Sequence, residues 1–353
     1  MLTSTVALVL GAGASRDFGT SEQSPFPLGD DLRLQIAGRL SIQPDTFGQK
    51  ITNGSWLIFS ALKRLSHTAE PGTMNLGALT AVSREIASAL PGCESIDDLL
   101  EQHSANPLYA IAGKLGIAEC VAAAERNSPL RKDPTTIRLP AITKYSHHWL
   151  SRLLQGITKG CNVEALSGVF GHLKVINFNY DRCFEWFTLL WLCHVYALDE
   201  HEAWKILNSI EIIHPYGSLG PLPTGSNQGF LFGAEPDAED LIEIHKNILT
   251  YSESVEEDGR ALQITSVTRE ATKVIFLGFA FHQQNMKLLD FEKGVMNSRE
   301  VYATTVGMPQ PRWEAAQRRI LNSLRQTRGT TVIISSPKSC CELITDYADA
   351  WTE

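Results

Sequence analysis

Short apolar runs of about five residues recur along the chain, and stretches with helical spacing separate most of them. Runs of this length are too short for a helix and are typical of strands buried in a parallel sheet. The candidate strands cover residues 5–10, 174–177, 211–214, 273–277, 300–304 and 331–335. This alternation predicts an α/β fold with a doubly wound, mainly parallel six-stranded sheet.

The long stretch between the first two candidate strands has a helical pattern, and nothing in it alternates convincingly with period two. Breaks are expected near Pro44, Pro71-Gly72, Pro91-Gly92 and residues 129–140. We therefore expect a helical insertion over 36–160 and a sheet-forming core made of 1–35 and 161–353. A further irregular stretch, 217–236, is rich in glycine and proline and has the composition of a functional lid or a disordered loop.

Composition narrows the class of protein. The chain has 353 residues and 43% apolar content, which is enough for a sizeable core. A net charge of -8 and a pI near 5.7 argue against a broad nucleic-acid footprint. The densest basic stretch holds Arg312, Arg318, Arg319, Arg325 and Arg328, which we interpret as the solvated face of a helix in preference to a partner or polynucleotide contact.

The cysteines and the apolar runs indicate in which cellular compartment the protein works. Seven scattered cysteines with no C-x-x-C pair favour free thiols in a reducing environment over a zinc ribbon or a disulfide framework. The N-terminal apolar run lacks a basic region before it and is too short for a signal peptide. We expect no stretch to reach the roughly 18 to 20 apolar residues of a membrane helix. These features predict a cytoplasmic protein with no membrane partner.

Polar residues follow the candidate strands at the points where they end. Residues 11–15 (GAGAS) directly follow the first strand, and glycines there allow a tight turn that brings backbone N–H groups against a pyrophosphate. The signal is weak by itself, because position 16 is Arg where a full G-x-G-x-x-G needs glycine, and no acidic residue follows at the end of a second strand. A plain strand-to-helix turn explains this segment equally well.

Three further strand ends favour a ligand site over a plain strand-to-helix turn. Residues 177–181 (NFNYD) follow the second strand; Asp181 could simply cap the next helix, but capping does not explain the two asparagines before it. Residues 212–219 (IIHPYGSL) and 274–281 (VIFLGFAF) supply a histidine, a glycine-serine turn and another glycine. Such residues at the carboxyl ends of neighbouring strands are typical of a ligand crevice in an open α/β sheet.

The order GAGAS, NxNYD, HPYGSL and FLGFxF resembles the prokaryotic SIR2-like domain, a distant relative of the sirtuins found in antiphage defence proteins. Residues 27–32 (PLGDDL) and 95–100 (SIDDLL) resemble family segments between the first two motifs, so the resemblance spans essentially the whole chain. It implies a Rossmann-like fold that binds NAD as a substrate, without a metal. The residues that it assigns to NAD binding are Gly11, Ala12, Gly13, Ser15, Asn177, Asp181, Tyr216, Gly217, Ser218, Gly278, Phe279 and Asn285.

The catalytic pair of the family is an asparagine and a histidine, which match Asn179 and His214. The sequence departs from the sirtuin pattern here, because the position directly before the glycine holds Tyr216 and the histidine lies two positions earlier. Residues two apart in a strand share a face, so His214 could still reach the crevice. The sequence leaves both His214 and Tyr216 as candidates for the position of the catalytic base. A neutral His214 would then take up a proton near pH 7.

Two absences separate this chain from protein deacylases, since it has neither a zinc ribbon nor the Pro-Asp-Phe-Arg segment of sirtuins. The resemblance therefore implies hydrolysis of NAD to nicotinamide and ADP-ribose by an antiphage (abortive infection) effector. Such an effector would be activated by homo-oligomerisation or by a partner such as a HerA-like ATPase or a short Argonaute, with no direct nucleic-acid contact. The alternatives are a catalytically silent module that senses NAD or ADP-ribose, and a Rossmann-like hydrolase or dehydrogenase of unrelated type.

Overall fold

A computed structural model describes residues 2, 4–19, 25–45, 50–68, 75–132, 139–224, 229–256, 258–289, 299–323 and 331–352. Its strands are β1 (Val6–Leu10), β2 (Gln43–Pro44), β3 (Ile51–Asn53), β4 (Leu173–Asn177), β5 (Glu211–Ile213), β6 (Lys273–Leu277), β7 (Arg299–Thr304) and β8 (Thr331–Ser336). Six of them form one all-parallel sheet in the order β5-β4-β1-β6-β7-β8. The predicted α/β fold and its six strands are confirmed, with strand ends displaced by no more than about one residue.

Counted along the chain, the six sheet strands take the order 3-2-1-4-5-6, the order of dinucleotide-binding folds. The central strand β1 is buried along its whole length and pairs with β4 on one side and β6 on the other. The strand order reverses between β1 and β6, and a crevice opens at the carboxyl ends of the strands at such a reversal. Gly11, Phe178, His214 and Gly278 each follow directly after a strand of this half of the sheet.

Helices account for most of the remaining described residues. They are α1 (Ala12–Arg16), α2 (Gly29–Leu40), α3 (Trp56–Thr68), α4 (Leu76–Ala89), α5 (Ile96–Gln102), α6 (Pro107–Asn127), α7 (Trp149–Ile157), α8 (Val163–Gly171), α9 (Cys183–Val195), α10 (Glu200–Leu207), α11 (Ala238–Lys246), α12 (Tyr251–Glu256), α13 (Asp258–Glu270), α14 (Gln283–Leu288), α15 (Gln310–Ser323), α16 (Cys340–Asp346) and α17 (Ala348–Thr352). Short 3-10 turns occupy Leu90–Gly92 and Thr143–Tyr145.

The chain divides into two compact units. The first consists of residues 1–22, 132–215 and 255–353 and contains the parallel sheet; the second consists of 23–131 and 216–254. The predicted insertion covered 36–160, so residues 132–160, which include α7, lie in the sheet unit. Residues 216–254 belong to the second unit and not to the predicted core, because α11 packs against α3 and α6 there.

The second unit is mainly helical and is built around α6, which packs against α2, α4 and α11. It also contains the two-stranded antiparallel sheet β2-β3, which the sequence pattern did not predict. The predicted break at Pro91-Gly92 lies in a 3-10 turn, whereas Pro71-Gly72 and part of 129–140 lie outside the described residues.

By length and composition α6 could cross a membrane, contrary to the expectation that no such stretch exists. In this protein 67% of its apolar window is buried, as in the core helix of a folded domain. On α15, Arg312, Arg318 and Arg319 are exposed, as expected of a solvated helix face, while Arg325 and Arg328 lie outside the described residues.

Candidate functional site

The glycine turn after β1 packs directly on the end of β6. A methyl group added at Gly11 would lie 2.6 Å from the main-chain oxygen of Gly278, and one added at Gly13 would lie 2.7 Å from its Cα. Gly278 has a φ of 58°, in the left-handed region where side chains are disfavoured. All three glycines are therefore required by the close approach of two backbone segments.

This packing occupies N–H groups of the glycine turn, which was predicted to contact a pyrophosphate. Gly11 N donates to the oxygen of Leu277 at 3.0 Å, and Gly13 N donates to the oxygen of Gly278 at 3.1 Å. Ala14 N donates to the oxygen of Gly11 at 2.9 Å. Of the four residues in this turn that were predicted to bind NAD, Ala12 and Ser15 are the two whose polar groups could still face a nucleotide.

Asn177 and Asn179 shape the loop after β4. Asn177 is only 1% exposed, and its Oδ1 accepts a hydrogen bond from the N–H of Asn179 at 3.1 Å. The Nδ2 group of Asn179 donates to the main-chain oxygen of Gly11 at 3.0 Å and to the Ser15 hydroxyl at 2.9 Å. Both amide hydrogens of Asn179 are thus donated to protein oxygens, and its Oδ1 is the acceptor that it can offer a ligand. Asn177 thus holds the backbone of Asn179, and the side chain of Asn179 joins the loop after β4 to the turn after β1.

Asp181 precedes the N-cap of α9 by one residue, because the N-cap is Arg182, so the predicted role of Asp181 as the N-cap is wrong. Its Oδ1 accepts from the N–H of Cys183, the first residue of the helix, at 3.1 Å. Because the N-terminus of a helix favours negative charge, this contact holds a carboxylate at the edge of the site. Asp181 is buried and also exerts a favourable electrostatic effect on a protonated His214.

His214 lies directly after β5 and is held by two acceptors. Its Nδ1 is 3.0 Å from the main-chain oxygen of Asn179, and its Nε2 is 2.6 Å from Oε1 of Glu185 on α9. Since a carbonyl oxygen and a carboxylate both accept hydrogen bonds, the arrangement fits a ring that donates from both nitrogens, an imidazolium paired with Glu185.

The electrostatics of the ring agree with that protonation state. Burial by itself would lower the pKa of His214, but the Glu185 carboxylate, its hydrogen bond and the carbonyl of Asn179 outweigh burial and raise the pKa above its ordinary value. An imidazolium has no lone pair with which to take up a proton. The neutral His214 expected from the sequence is therefore not the form that these contacts favour.

Several supporting residues were not singled out from the sequence. Trp149 donates from Nε1 to the main-chain oxygen of Ala14 at 3.0 Å, and Phe18 packs against His148 with ring centroids 4.0 Å apart. The Thr304 hydroxyl accepts from the N–H of Gly278 at 2.8 Å. These contacts fix α1 and the turn after β6 from outside the site. Glu185 could have been found from the sequence, because it follows Asp181 by four positions and lies in the first turn of a helix.

Tyr216, Gly217 and Ser218 belong to the second unit, because they begin its second segment, residues 216–254. The oxygen of Tyr216 accepts from the N–H of Leu249, and a methyl group at Gly217, where φ is 72°, would lie 1.8 Å from the oxygen of Asn247. The Ser218 hydroxyl accepts from the N–H of Gly220. Burial, followed by the nearby carboxylate of Asp97, raises the pKa of Tyr216, so its hydroxyl stays protonated.

The remaining predicted ligands lie on the segment after β6. Phe279 is buried and packs on Phe178, with centroids 5.1 Å apart, so it contributes to the wall beneath the loop after β4. Asn285 is half-buried on α14. Within the described ranges, no group of three or more His, Cys, Asp or Glu side chains could hold a metal ion.

Comparison of the chain with protein-family models gave no match, and comparison with curated proteins gave none either. The geometry places Gly11, Ser15, Asn179 and His214 in one hydrogen-bonded group at the carboxyl ends of the strands. Such a group can orient hydroxyl groups and stabilise charge. The carboxylate of Glu185 contacts its imidazole ring, and the carboxylate of Asp181 favours the protonated form of that ring.

Proposed function

We propose that the protein is a NAD glycohydrolase that cleaves NAD to nicotinamide and ADP-ribose. The observation that carries the proposal is the direct bonding of Asn179 to the glycine turn after β1. It places an amide, a serine hydroxyl and a histidine at the carboxyl edge of a sheet with the 3-2-1-4-5-6 strand order. Dinucleotides bind at this edge in folds with that order.

The reaction breaks the bond between C1′ of the ribose and the nicotinamide nitrogen, and water supplies the hydroxyl group of ADP-ribose while one proton is released. The bonding pair leaves with nicotinamide, whose ring is cationic in NAD, so positive charge develops on the ribose in the transition state. Stabilising that charge and placing the water are the main requirements.

The residues of the sheet unit fit these requirements. The Oδ1 of Asn179 can accept a hydrogen bond from a ribose hydroxyl or from the attacking water, because its Nδ2 hydrogens are already donated. The carboxylate of Asp181, held at the start of α9, favours positive charge nearby. The Ser15 hydroxyl accepts from Asn179 and can donate its own hydrogen to a phosphate or ribose oxygen.

One observation favours the alternative of a module that binds NAD or ADP-ribose without turnover. Both ring nitrogens of His214 contact acceptors, so the imidazolium cannot serve as a base without first losing a proton or a partner. A sensor needs only the binding features of the site. An enzyme would need either a change at His214 or a reaction in which deprotonation of water follows bond cleavage.

We also propose the biological setting that the motifs suggest, a cytoplasmic effector of antiphage defence. Uncontrolled NAD hydrolysis would deplete the cell that makes the protein, so activity of this kind requires a switch. We propose assembly as that switch, either of several copies of this chain or with a partner protein such as a HerA-like ATPase or a short Argonaute.

A proton NMR time course of purified protein with NAD tests the catalytic proposal. Free nicotinamide should accumulate with wild type and should not accumulate with Asn179→Ala. Gly168→Ala is the matched control, since Gly168 is exposed on α8 in the same unit and has open space for a methyl group. Binding of NAD by wild type without nicotinamide release would favour the sensor, and release by a folded Asn179→Ala protein would contradict the site.

A further inference from the structure

The carboxylate of Glu185 is in direct contact with the imidazole ring of His214. Its Oε1 lies 2.6 Å from Nε2, and the two side chains are only 16% and 11% exposed. The other oxygen, Oε2, is buried and has no hydrogen-bond partner among the described residues. The carboxylate is therefore oriented by its contact with the imidazole ring.

The imidazole ring of His214 also contacts the backbone of the loop after β4. His214 reaches the main-chain oxygen of Asn179 through Nδ1, and the Asn179 side chain reaches Gly11 and Ser15. A chain of hydrogen bonds thus runs from α9 through the end of β5 to the loop after β4 and the turn after β1. Each step joins segments that are distant in sequence, so the chain fixes the position of Asn179 relative to the glycine turn.

The charged groups around the ring come from three elements. Asp181 in the loop before α9 and Glu185 on α9 favour its protonated form. Arg260 on α13 donates to the main-chain oxygen of His214 and so fixes the backbone of the same residue. Removing the charge of Glu185 leaves the ring with a weaker attraction from Asp181 and with the cost of burying a cation.

The geometry points to Glu185 as a positioning residue that keeps His214 donating to the carbonyl of Asn179 and thereby holds the Asn179 amide in place. Glu185 acts through His214 in this inference and is not required to touch the substrate. The inference deepens the proposed function, because the activity affected is that of the same site. Its structural part can be tested whether or not NAD is cleaved.

The experiment compares wild type, Glu185→Gln, His214→Gln, the double variant and Glu164→Gln as a control. Glu164 is an exposed carboxylate in the first turn of α8, in the same unit. The imidazole nitrogens of uniformly ¹⁵N-labelled protein are followed by NMR across pH, and the His214 signals are assigned by their loss in His214→Gln. Unfolding by denaturant, NAD binding and nicotinamide release are measured on the same samples.

In Glu185→Gln the His214 signals should titrate at lower pH than in wild type, while in Glu164→Gln they should not move. If nicotinamide is released by wild type, kcat should fall on the order of tenfold or more in Glu185→Gln with a smaller change in KM. The effect of Glu185→Gln on unfolding should be largely absent in the His214→Gln background, because the two residues act in one chain.

The outcomes separate this inference from the proposed function. Nicotinamide release by wild type with equal His214 titration and equal kcat in Glu185→Gln and Glu164→Gln would overturn the positioning role while the glycohydrolase stood. A shifted titration and non-additive unfolding without any NAD binding by wild type would support the positioning role while the proposed function failed. Additive effects of Glu185→Gln and His214→Gln on unfolding would also overturn it, even if both variants lost activity.

Discussion

The side-chain amide of Asn179 donates a hydrogen bond to the main-chain oxygen of Gly11 at 3.0 Å, across 168 positions of sequence. This contact joins the loop after β4 to the turn after β1 at the centre of the parallel sheet. Because Asn179 also donates to Ser15, its orientation is fixed before any ligand arrives. A preorganised amide of this kind avoids the cost of ordering a side chain on binding.

Replacing Gly13 by alanine should destabilise the sheet unit. The added methyl group would lie 2.7 Å from the Cα of Gly278, which belongs to backbone that cannot rotate away. We expect a loss of about 1–3 kcal/mol in the free energy of unfolding, measured with denaturant. Gly168→Ala, a change in the open middle of α8, should instead stabilise by up to about 1 kcal/mol. Equal effects of the two substitutions would refute the proposed close packing.

Replacing Asn179 by aspartate should break the link between the two loops with little change in side-chain size. A carboxylate cannot donate to the oxygen of Gly11 or to Ser15, and its charge would face a carbonyl oxygen. We expect a loss of about 1–3 kcal/mol in the free energy of unfolding at neutral pH. Ser15→Ala should cost less, because it removes only one of the two acceptors. A fully stable Asn179→Asp protein would show that these hydrogen bonds do not hold the loops.

His214 should stabilise the fold most at lower pH. Its pKa in the folded protein is raised, so the stability that it contributes is fully present below the pKa of the unfolded chain, about 6.5, and is lost as pH rises through the higher folded value. The difference in unfolding free energy between wild type and His214→Gln should therefore shrink from about pH 6.5 upward. Denaturation series at several pH values measure it. A difference that grows with pH would contradict the ion pair with Glu185.

His148 should have the opposite dependence on pH. Burial lowers its pKa to about 3, and its Nδ1 accepts from the N–H of Leu150, so the ring is neutral in the folded protein. Its contribution to stability is present above about pH 6.5 and is lost as pH falls toward 3, by at most about 1.4 kcal/mol for each pH unit. His148→Asn keeps an acceptor at the start of α7 and should lose less stability between pH 6.5 and 4.5 than wild type.

The control for that comparison is His201→Asn, since His201 is exposed on α10 in the same unit. It should follow wild type across the whole pH range. If His148→Asn and wild type lost stability in parallel on acidification, burial of a neutral His148 would not be a source of acid sensitivity.

The sheet could be predicted from the sequence because each strand is a short apolar run with polar or glycine residues at its end. β1 and β6 show this most clearly, with Gly11 and Gly278 directly after them. The division into units could not be predicted in the same way. Residues 216–254 join 23–131 through packing of α11 against α3 and α6, and local periodicity carries no information about contacts between distant segments.

The candidate site was only partly accessible to the same reasoning. The sequence predicts that Gly11 and Gly13 contact a phosphate, but in the structure the backbone of Gly278 packs against them. Contact with a phosphate and contact with a backbone both require a residue without a side chain, so the sequence does not distinguish them. The sequence likewise placed His214 at a strand end without revealing that Glu185 and the carbonyl of Asn179 occupy its two nitrogens. Partners of this kind depend on side-chain orientation, which the residue pattern does not specify.

The central claim is that Asn179 and the turn after β1 form a site for NAD, and calorimetric titration with NAD and ADP-ribose tests it most directly. We predict saturable binding to one site per chain in wild type and in Gly168→Ala, and loss of that binding in Asn179→Asp under conditions where this variant is folded. An absence of binding to wild type, or equal affinity in wild type and folded Asn179→Asp, would contradict the claim for enzyme and sensor alike.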